Sequence, residues 1–160
     1  MIRVLFVCLG NICRSPTGEG VMRHLVEKEG MGDQVEVDSA GTGAWHIGEY
    51  PDSRMTLAAR ERGYRLDSRG RQLVKQDFKS FDYVIAMDAK NLSSCLSLAP
   101  EDATAKITPM NSYIRSQEID GIPDPYFGGG EGFELVMDLI EEGCENLLTE
   151  ISDDLKAQEN

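Results

Sequence analysis

Three short stretches predict strands, and each is followed by a segment with helical spacing. The stretches occupy residues 2–7, 35–39 and 83–87. Continuous apolar runs, as at residues 4–7 and 83–87, are typical of parallel strands buried on both faces. A shorter fourth strand is predicted at residues 106–108. The alternation of strands and helices predicts an α/β fold, with helices on both faces of a parallel sheet.

Helix signals separate these strands and follow the last one. Ser15 is a good capping residue and Pro16 suits a first turn, so the first helix is predicted to open at Ser15. Gly63 is a natural stop for the second helix. Apolar residues spaced by three and four define one face of the last helix. The predicted helices lie at residues 15–30, 52–62, 89–99 and 133–155.

The connection at residues 109–130 is long for a compact domain and contains the stretch "IPDPYFGGG". Connections of more than about 12 to 15 residues without structure usually carry function or are disordered. In open parallel sheets, ligands bind beyond the carboxyl ends of the strands, where the strand order reverses. The segment after the first strand leaves the sheet at such an end.

Composition and charge narrow the class of protein. The chain has 160 residues, which suits one domain spanning residues 1–160, and a net charge of −12. Such a charge argues against nucleic acid or an anionic membrane as partner. The apolar stretch ending at Val7 is too short for a signal peptide or a membrane span, so we expect a cytoplasmic protein.

The four cysteines do not form a metal or disulfide pattern. They stand at positions 8, 13, 95 and 144 without a C-x-x-C pair, and the chain has only two histidines. We therefore expect reduced thiols, no metal ion and no cofactor.

The segment from Cys8 to Arg14, here called the Cys8 loop, carries the strongest chemical signal. Gly10 and Asn11 tolerate left-handed backbone, so the loop can turn tightly and direct successive N–H groups to one centre at a helix N-terminus. Arg14 adds a planar fork that can hold two oxygens of a phosphate group. These positive surroundings favour the thiolate form of Cys8, which would then be a nucleophile.

A lone cysteine is more often a buried apolar residue than a nucleophile. The chain provides its own control, because only Cys8 has an arginine six positions later. The same step from the other cysteines reaches glutamates at positions 19, 101 and 150. No lysine follows a glycine-rich loop, so a Walker-type nucleotide site is not supported.

The stretches "VCLGNICRSP" and "DPYF" together resemble the low-molecular-weight protein tyrosine phosphatase family, and the likeness covers nearly the whole chain. It implies a single three-layer domain with a four-stranded sheet in the order 2-1-3-4. It also implies that Cys8 attacks phosphorus, that Arg14 and the loop amides bind the phosphoryl oxygens, and that Asp124 is the general acid. Ser15 would hydrogen-bond the departing sulfur, and Asn11 would shape the loop.

The same likeness implies how substrate is bound. Trp45, Tyr126 and Phe127 match an aromatic wall around the substrate ring, while Leu9 and Ile12 would line the loop side. We expect phosphotyrosine proteins or aryl phosphates as substrates, and a monomer, with a weak dimer as the alternative. The remaining predicted phosphate-site residues are Gly10, Asn11, Cys13 and Ser15.

Two supporting positions and one further thiol follow from the resemblance. Ser39 matches a residue of the network that holds the loop, whereas Ser68 stands where many members have a histidine. Cys13 either forms a reversible disulfide with Cys8 or is a loop-packing thiol. His24 and His46 are expected at the surface or the rim.

Other activities remain open at this stage. Arginine phosphatases of the same fold typically carry threonine at the position of Ile12. Arsenate reductases of this fold use a redox pair of closely spaced cysteines on a later segment, whereas Cys95 has no cysteine near it in the sequence. A cysteine phosphocarrier would not need both Arg14 and Asp124. A phosphate-binding adaptor without activity would tolerate loss of Cys8.

Overall fold

In a computed structural model, which describes residues 1–127 and 130–159, the strands form one parallel four-stranded sheet. The strands are β1 (Ile2–Cys8), β2 (Val35–Gly41), β3 (Tyr83–Ala86) and β4 (Lys106–Pro109). Their order is β2-β1-β3-β4 and every pairing is parallel. The predicted strands and the implied strand order are confirmed.

Five α-helices accompany the sheet in the part of the chain that the structure describes. They are α1 (Arg14–Lys28), α2 (Ser53–Glu61), α3 (Asp77–Ser80), α4 (Ala89–Leu98) and α5 (Gly130–Glu159). The short α3 was not predicted. The connection between β4 and α5 contains two 3-10 turns, Met110–Tyr113 and Pro125–Phe127.

The predicted capping role of Ser15 is wrong. Helix α1 already begins at Arg14, and the capping position, Cys13, makes no side-chain cap. The Ser15 hydroxyl instead lies 3.0 Å from Sγ of Cys8. By contrast, Asp52 caps α2 as a helix-start residue should, accepting hydrogen bonds from the N–H groups of Arg54 and Met55.

Strand β1 lies at the centre of the sheet and packs on both faces. Val4 and Phe6 belong to the core formed with α1 and α5, whereas Leu5 and Val7 belong to a second core on the other face. Alternate side chains of a strand point to opposite faces, so the apolar run at residues 4–7 of β1 requires a layer on each side. This arrangement explains the uninterrupted apolar run in the sequence.

The order of the strands places the end of β1 at a switch point. The chain continues from β1 to β2 on one side, and β3 pairs with β1 on the other side. The connection after β4 returns to this edge, where the N–H of Ile122 donates to the carbonyl of Met87 at 2.7 Å. The Cys8 loop and the Asp124 segment, here residues 122–127, therefore meet beyond the carboxyl ends of the strands.

Candidate active site

The Cys8 loop turns sharply between β1 and α1. Asn11 adopts a φ of 58°, whereas Gly10 does not have positive φ, so one of the two predicted left-handed positions is confirmed and the other is wrong. Gly10 is needed for space instead. A Cβ atom at Gly10 would lie 3.0 Å from Cδ2 of His46.

The sulfur of Cys8 is held from the start of α1. The backbone N–H of Ser15 donates to Sγ at 3.4 Å, and the Ser15 hydroxyl lies 3.0 Å from it. Cys8 itself is 3 % exposed. The N-terminal end of a helix carries partial positive charge, so this position favours a bound anion.

The side chain of Asn11 makes hydrogen bonds that hold the Cys8 loop against the rest of the protein. Nδ2 of Asn11 donates to the hydroxyls of Ser15 at 2.7 Å and Ser39 at 3.0 Å. Oδ1 of Asn11 accepts the N–H of Arg71 at 3.0 Å. The predicted supporting position Ser39 thus contacts the loop directly.

The same network continues to residues that the sequence analysis missed. Ser39 donates to the carboxylate of Glu19 at 2.6 Å, and Arg23 donates to the other oxygen of Glu19 at 2.5 Å. The structure does not bring Ser68 into this network, since its side chain makes no hydrogen bond within residues 1–127 and 130–159. A serine is short, and the Glu19 oxygen is already occupied by Arg23. The signal for Glu19 in the sequence was a charged residue one turn beyond Ser15, on the inner side of α1.

Arg14 is fixed by groups from distant parts of the chain. Its Nη1 donates to Asp88 at 2.6 Å and to the carbonyl of Ile122 at 2.9 Å, while Nη2 lies 3.6 Å from Oδ2 of Asp124. The Arg14 side chain is 3 % exposed. Asp88 was not singled out from the sequence, although a carboxylate just after β3 must lie at this edge of the sheet.

Asp124 presents its carboxylate to the same pocket. Oδ1 accepts the N–H of Tyr126 at 3.0 Å, which leaves Oδ2 on the side of Arg14. The carboxyl group is 31 % exposed, so it can exchange protons with water or with a ligand.

These groups surround one pocket of about 280 Å³. Trp45, 70 % exposed, stands at its mouth with His46 and Tyr126. His46, expected at the surface or rim, lines the pocket, and its Nδ1 lies 2.8 Å from a carboxylate oxygen of Glu49. The prediction for the Phe127 side chain lies outside what the structure describes. The residues lining the pocket are Cys8, Leu9, Gly10, Ile12, Cys13, Arg14, Trp45, His46, Asp124 and Tyr126.

The other thiols differ from Cys8 in their surroundings. Cys13 also lines the pocket, but burial, followed by the charge of Asp52, raises the pKa of its thiol. Burial raises the pKa of Cys95 to about 12, and burial also raises the pKa of Cys144. All four cysteines are free thiols.

The described residues contain neither a metal-binding cluster nor a candidate membrane-spanning helix. Apart from the undescribed positions 128, 129 and 160, no group of three or more His, Cys, Asp and Glu side chains could hold a metal ion. No helix in the same residues is long and apolar enough to cross a membrane.

Known proteins match this chain over nearly its whole length. The sequence profile described as low molecular weight phosphotyrosine protein phosphatase matches residues 3–157. The low molecular weight protein-tyrosine-phosphatase YfkJ of Bacillus subtilis is 45% identical over 152 residues, covering 94% of this chain and 96% of the relative.

Solved structures agree with the sequence matches. A protein tyrosine phosphatase from Entamoeba histolytica, crystallised with Hepes in the active site, is 42% identical with a TM-score of 0.93, covering 96% of this chain and 99% of the other. A Drosophila arginine phosphatase is 39% identical with a TM-score of 0.86, covering 94% and 98%.

Proposed function

The chain belongs to the low molecular weight phosphotyrosine protein phosphatase family, and we propose that it hydrolyses phosphotyrosine through a cysteinyl-phosphate on Cys8, without a metal ion. It is thus a cysteine-dependent hydrolase. The observation that carries the mechanism is the placement of Cys8, Arg14 and Asp124 around one pocket.

In the first step, Sγ of Cys8 attacks phosphorus, so that an S–P bond forms while the bond from phosphorus to the phenolic oxygen breaks. Arg14, held by Asp88 and Ile122, binds the phosphoryl oxygens with its remaining N–H donors. Phenolate is a poor leaving group at neutral pH, so Asp124 donates a proton to the departing oxygen.

In the second step, water attacks the phosphorus of the intermediate and the S–P bond breaks. Asp124, now ionised, accepts a proton from that water, and inorganic phosphate leaves. The Ser15 hydroxyl, 3.0 Å from Sγ, donates to the departing thiolate and stabilises it.

The shape of the pocket supports an aromatic substrate. Leu9 and Ile12 lie on one side, with Trp45 and Tyr126 at the mouth, and Cys8 lies at the base. Such a slot holds a flat ring and lets the phosphate of phosphotyrosine reach the sulfur, whereas phosphoserine is too short. Phosphotyrosine proteins are therefore the proposed substrate class.

The main alternative is the phosphoarginine activity named for the Drosophila relative. Ile12 favours phosphotyrosine, because an apolar residue at the loop packs against a ring and provides no hydroxyl for a guanidinium. Arsenate reduction and phosphate carriage have less support, since Cys95 is buried and both Arg14 and Asp124 face the pocket.

We also propose that residues 1–160 act as one phosphatase domain, that the protein works as a monomer, and that it is cytoplasmic. The four free thiols suit a reducing compartment. Sedimentation and cell fractionation would test the last two points.

The experiment measures hydrolysis of phosphotyrosine, phenyl phosphate and phosphoarginine in the presence of EDTA, and, in a separate assay, reduction of arsenate by an added thiol. Cys8→Ser should abolish turnover, and Asp124→Ala should lower kcat/KM for phenyl phosphate by about 10² to 10⁴. Undiminished turnover by Cys8→Ser would reject the mechanism. A preference for phosphoarginine would reject the proposed substrate, and a stable phosphoprotein without turnover would favour the carrier.

A further inference from the structure

Arg54 lies in the first turn of α2 and makes contacts in two directions. Nε and Nη2 donate to the carboxylate of Asp52 at 3.3 and 3.1 Å. Nη2 also donates to the backbone carbonyl of Tyr126, in the Asp124 segment, at 3.1 Å. The guanidinium carbon lies 4.8 Å from the ring centre of Phe133, near the start of α5. Arg54 therefore connects α2 to the Asp124 segment.

The contacts of Arg54 lead to the Cys8 loop through Asp52 and to Asp124 through Tyr126. The N–H of Asp52 donates to the carbonyl of Ile12, inside the Cys8 loop, at 2.8 Å. At the other end, the N–H of Tyr126 donates to Oδ1 of Asp124 at 3.0 Å. Tyr126 thus holds the carboxylate with its N–H, and its C=O is held by Arg54.

We propose that Arg54 is a positioning residue for the general acid, tying the Asp124 segment to the Cys8 loop through Asp52. This inference rests on the proposed role of Asp124. A general acid must lie within about 2.6–3.2 Å of the atom that it protonates. A displacement of about 1 Å can cost a factor of about 10² in rate. A half-exposed arginine that contacts no reacting atom can therefore still affect catalysis.

A simpler role for Arg54 would be to attract the phosphate by its charge. The geometry disfavours this role, because the guanidinium is paired with Asp52 at 3.1 Å. Arg14 is the arginine that lines the pocket. The two roles also differ in their consequences, because lost attraction weakens binding of every phosphate, whereas a displaced acid slows only reactions that need a proton.

The test compares kcat/KM for two substrates in Arg54→Ala. This quantity reports the transfer of phosphoryl to Cys8. Phenyl phosphate has a poor leaving group, whereas an aryl phosphate with strongly electron-withdrawing substituents needs little protonation. We expect a loss of about 10- to 100-fold for phenyl phosphate, with little change for the activated substrate and for inhibition by inorganic phosphate.

Two variants serve as controls. Arg60→Ala removes the same charge from an exposed position of α2 and should change neither substrate. Arg54→Lys keeps the charge and one donor, and should recover part of the lost rate. Thermal unfolding followed by circular dichroism would verify that each variant is folded.

A double variant separates positioning from other effects. If Arg54 acts through Asp124, then Arg54→Ala should have little further effect on phenyl phosphate once Asp124→Ala is present. Equal losses for both substrates, or a full loss in the Asp124→Ala background, would overturn the inference. If Asp124→Ala alone showed no leaving-group dependence, the proposed role of Asp124 would fail as well. If Asp124→Ala showed leaving-group dependence but Arg54→Ala did not, the positioning role of Arg54 would fail and the role of Asp124 would stand.

Discussion

Asn11 is the residue that joins the Cys8 loop to the rest of the molecule. Its side chain contacts Ser15, Ser39 and the backbone of Arg71, and its own backbone is left-handed with φ of 58°. Asn combines tolerance of this conformation with an amide that can donate and accept. Gly and Asp also adopt this backbone, but Gly has no side chain to make the contacts and an ionised Asp has no N–H to donate.

The Asn11→Ala and Asn11→Gly variants separate these two contributions. Both lose three hydrogen bonds, two of them buried, so each should lower the free energy of unfolding by about 2–3 kcal/mol, at about 1 kcal/mol per bond. The alanine variant also carries left-handed strain and should be less stable than the glycine variant by about 1 kcal/mol. Urea unfolding measures both values. An alanine variant as stable as the glycine variant would contradict the strain argument.

Single residues also show what the sequence could predict about the site. Cys8, Arg14 and Ser15 lie close together in the chain, so local spacing was sufficient to group them. Asp88 and Glu19 reach the site only through tertiary structure, and their positions, just after β3 and one turn beyond Ser15, become informative only once the sheet and α1 are known to meet there. The prediction that Ser15 caps α1 failed for a similar reason, because a tertiary contact decides what its hydroxyl does. That hydroxyl contacts the sulfur of Cys8 at the end of β1.

At the scale of elements, α1 packs closely on the central strand. A Cβ atom at Gly18 would lie 2.8 Å from the ring of Phe6 and 3.0 Å from Met87. This close approach places the start of α1 directly behind the Cys8 loop.

Strands β1 and β3 could be predicted because burial on both faces gives a distinctive pattern. The short α3 could not, because a four-residue helix has too few positions to show a period.

Gly18→Ala should therefore destabilise the protein, although alanine normally favours a helix by about 1 kcal/mol. We expect a net loss of about 1–3 kcal/mol, because the rigid ring of Phe6 must move. Gly143→Ala in α5 is the matched control, since its Cβ would meet the flexible end of Met110. The two melting temperatures test the comparison, and an equal or larger loss in Gly143→Ala would refute it.

At the scale of the whole molecule, two tyrosines tie distant elements to α5. Tyr64, which follows α2, donates to Glu141 at 2.8 Å, and Tyr113 donates to Glu150 at 2.9 Å. Burial, and then the hydrogen bond to a carboxylate, raises the pKa of both phenols. The folded state therefore keeps these protons at a pH where the unfolded chain loses them.

This difference predicts loss of stability in alkali. Below about pH 10, both states are protonated and the full contribution of the tyrosines is present. As the pH rises above that value, the unfolded state ionises first and the free energy of unfolding falls. Tyr64→Phe and Tyr113→Phe should each flatten this fall. Urea unfolding across this range would measure it, and an unchanged slope in both variants would contradict the assignment.

The attachment of Arg14 has a consequence for the order in which the protein gains its activity. Its partners, Asp88 and the carbonyl of Ile122, stand 74 and 108 positions further along the chain. On the ribosome, Cys8 and Arg14 are thus made well before the groups that orient the Arg14 side chain. The pocket can be complete only after the segment that contains Ile122 has been synthesised and folded, so turnover would report on folding up to that point.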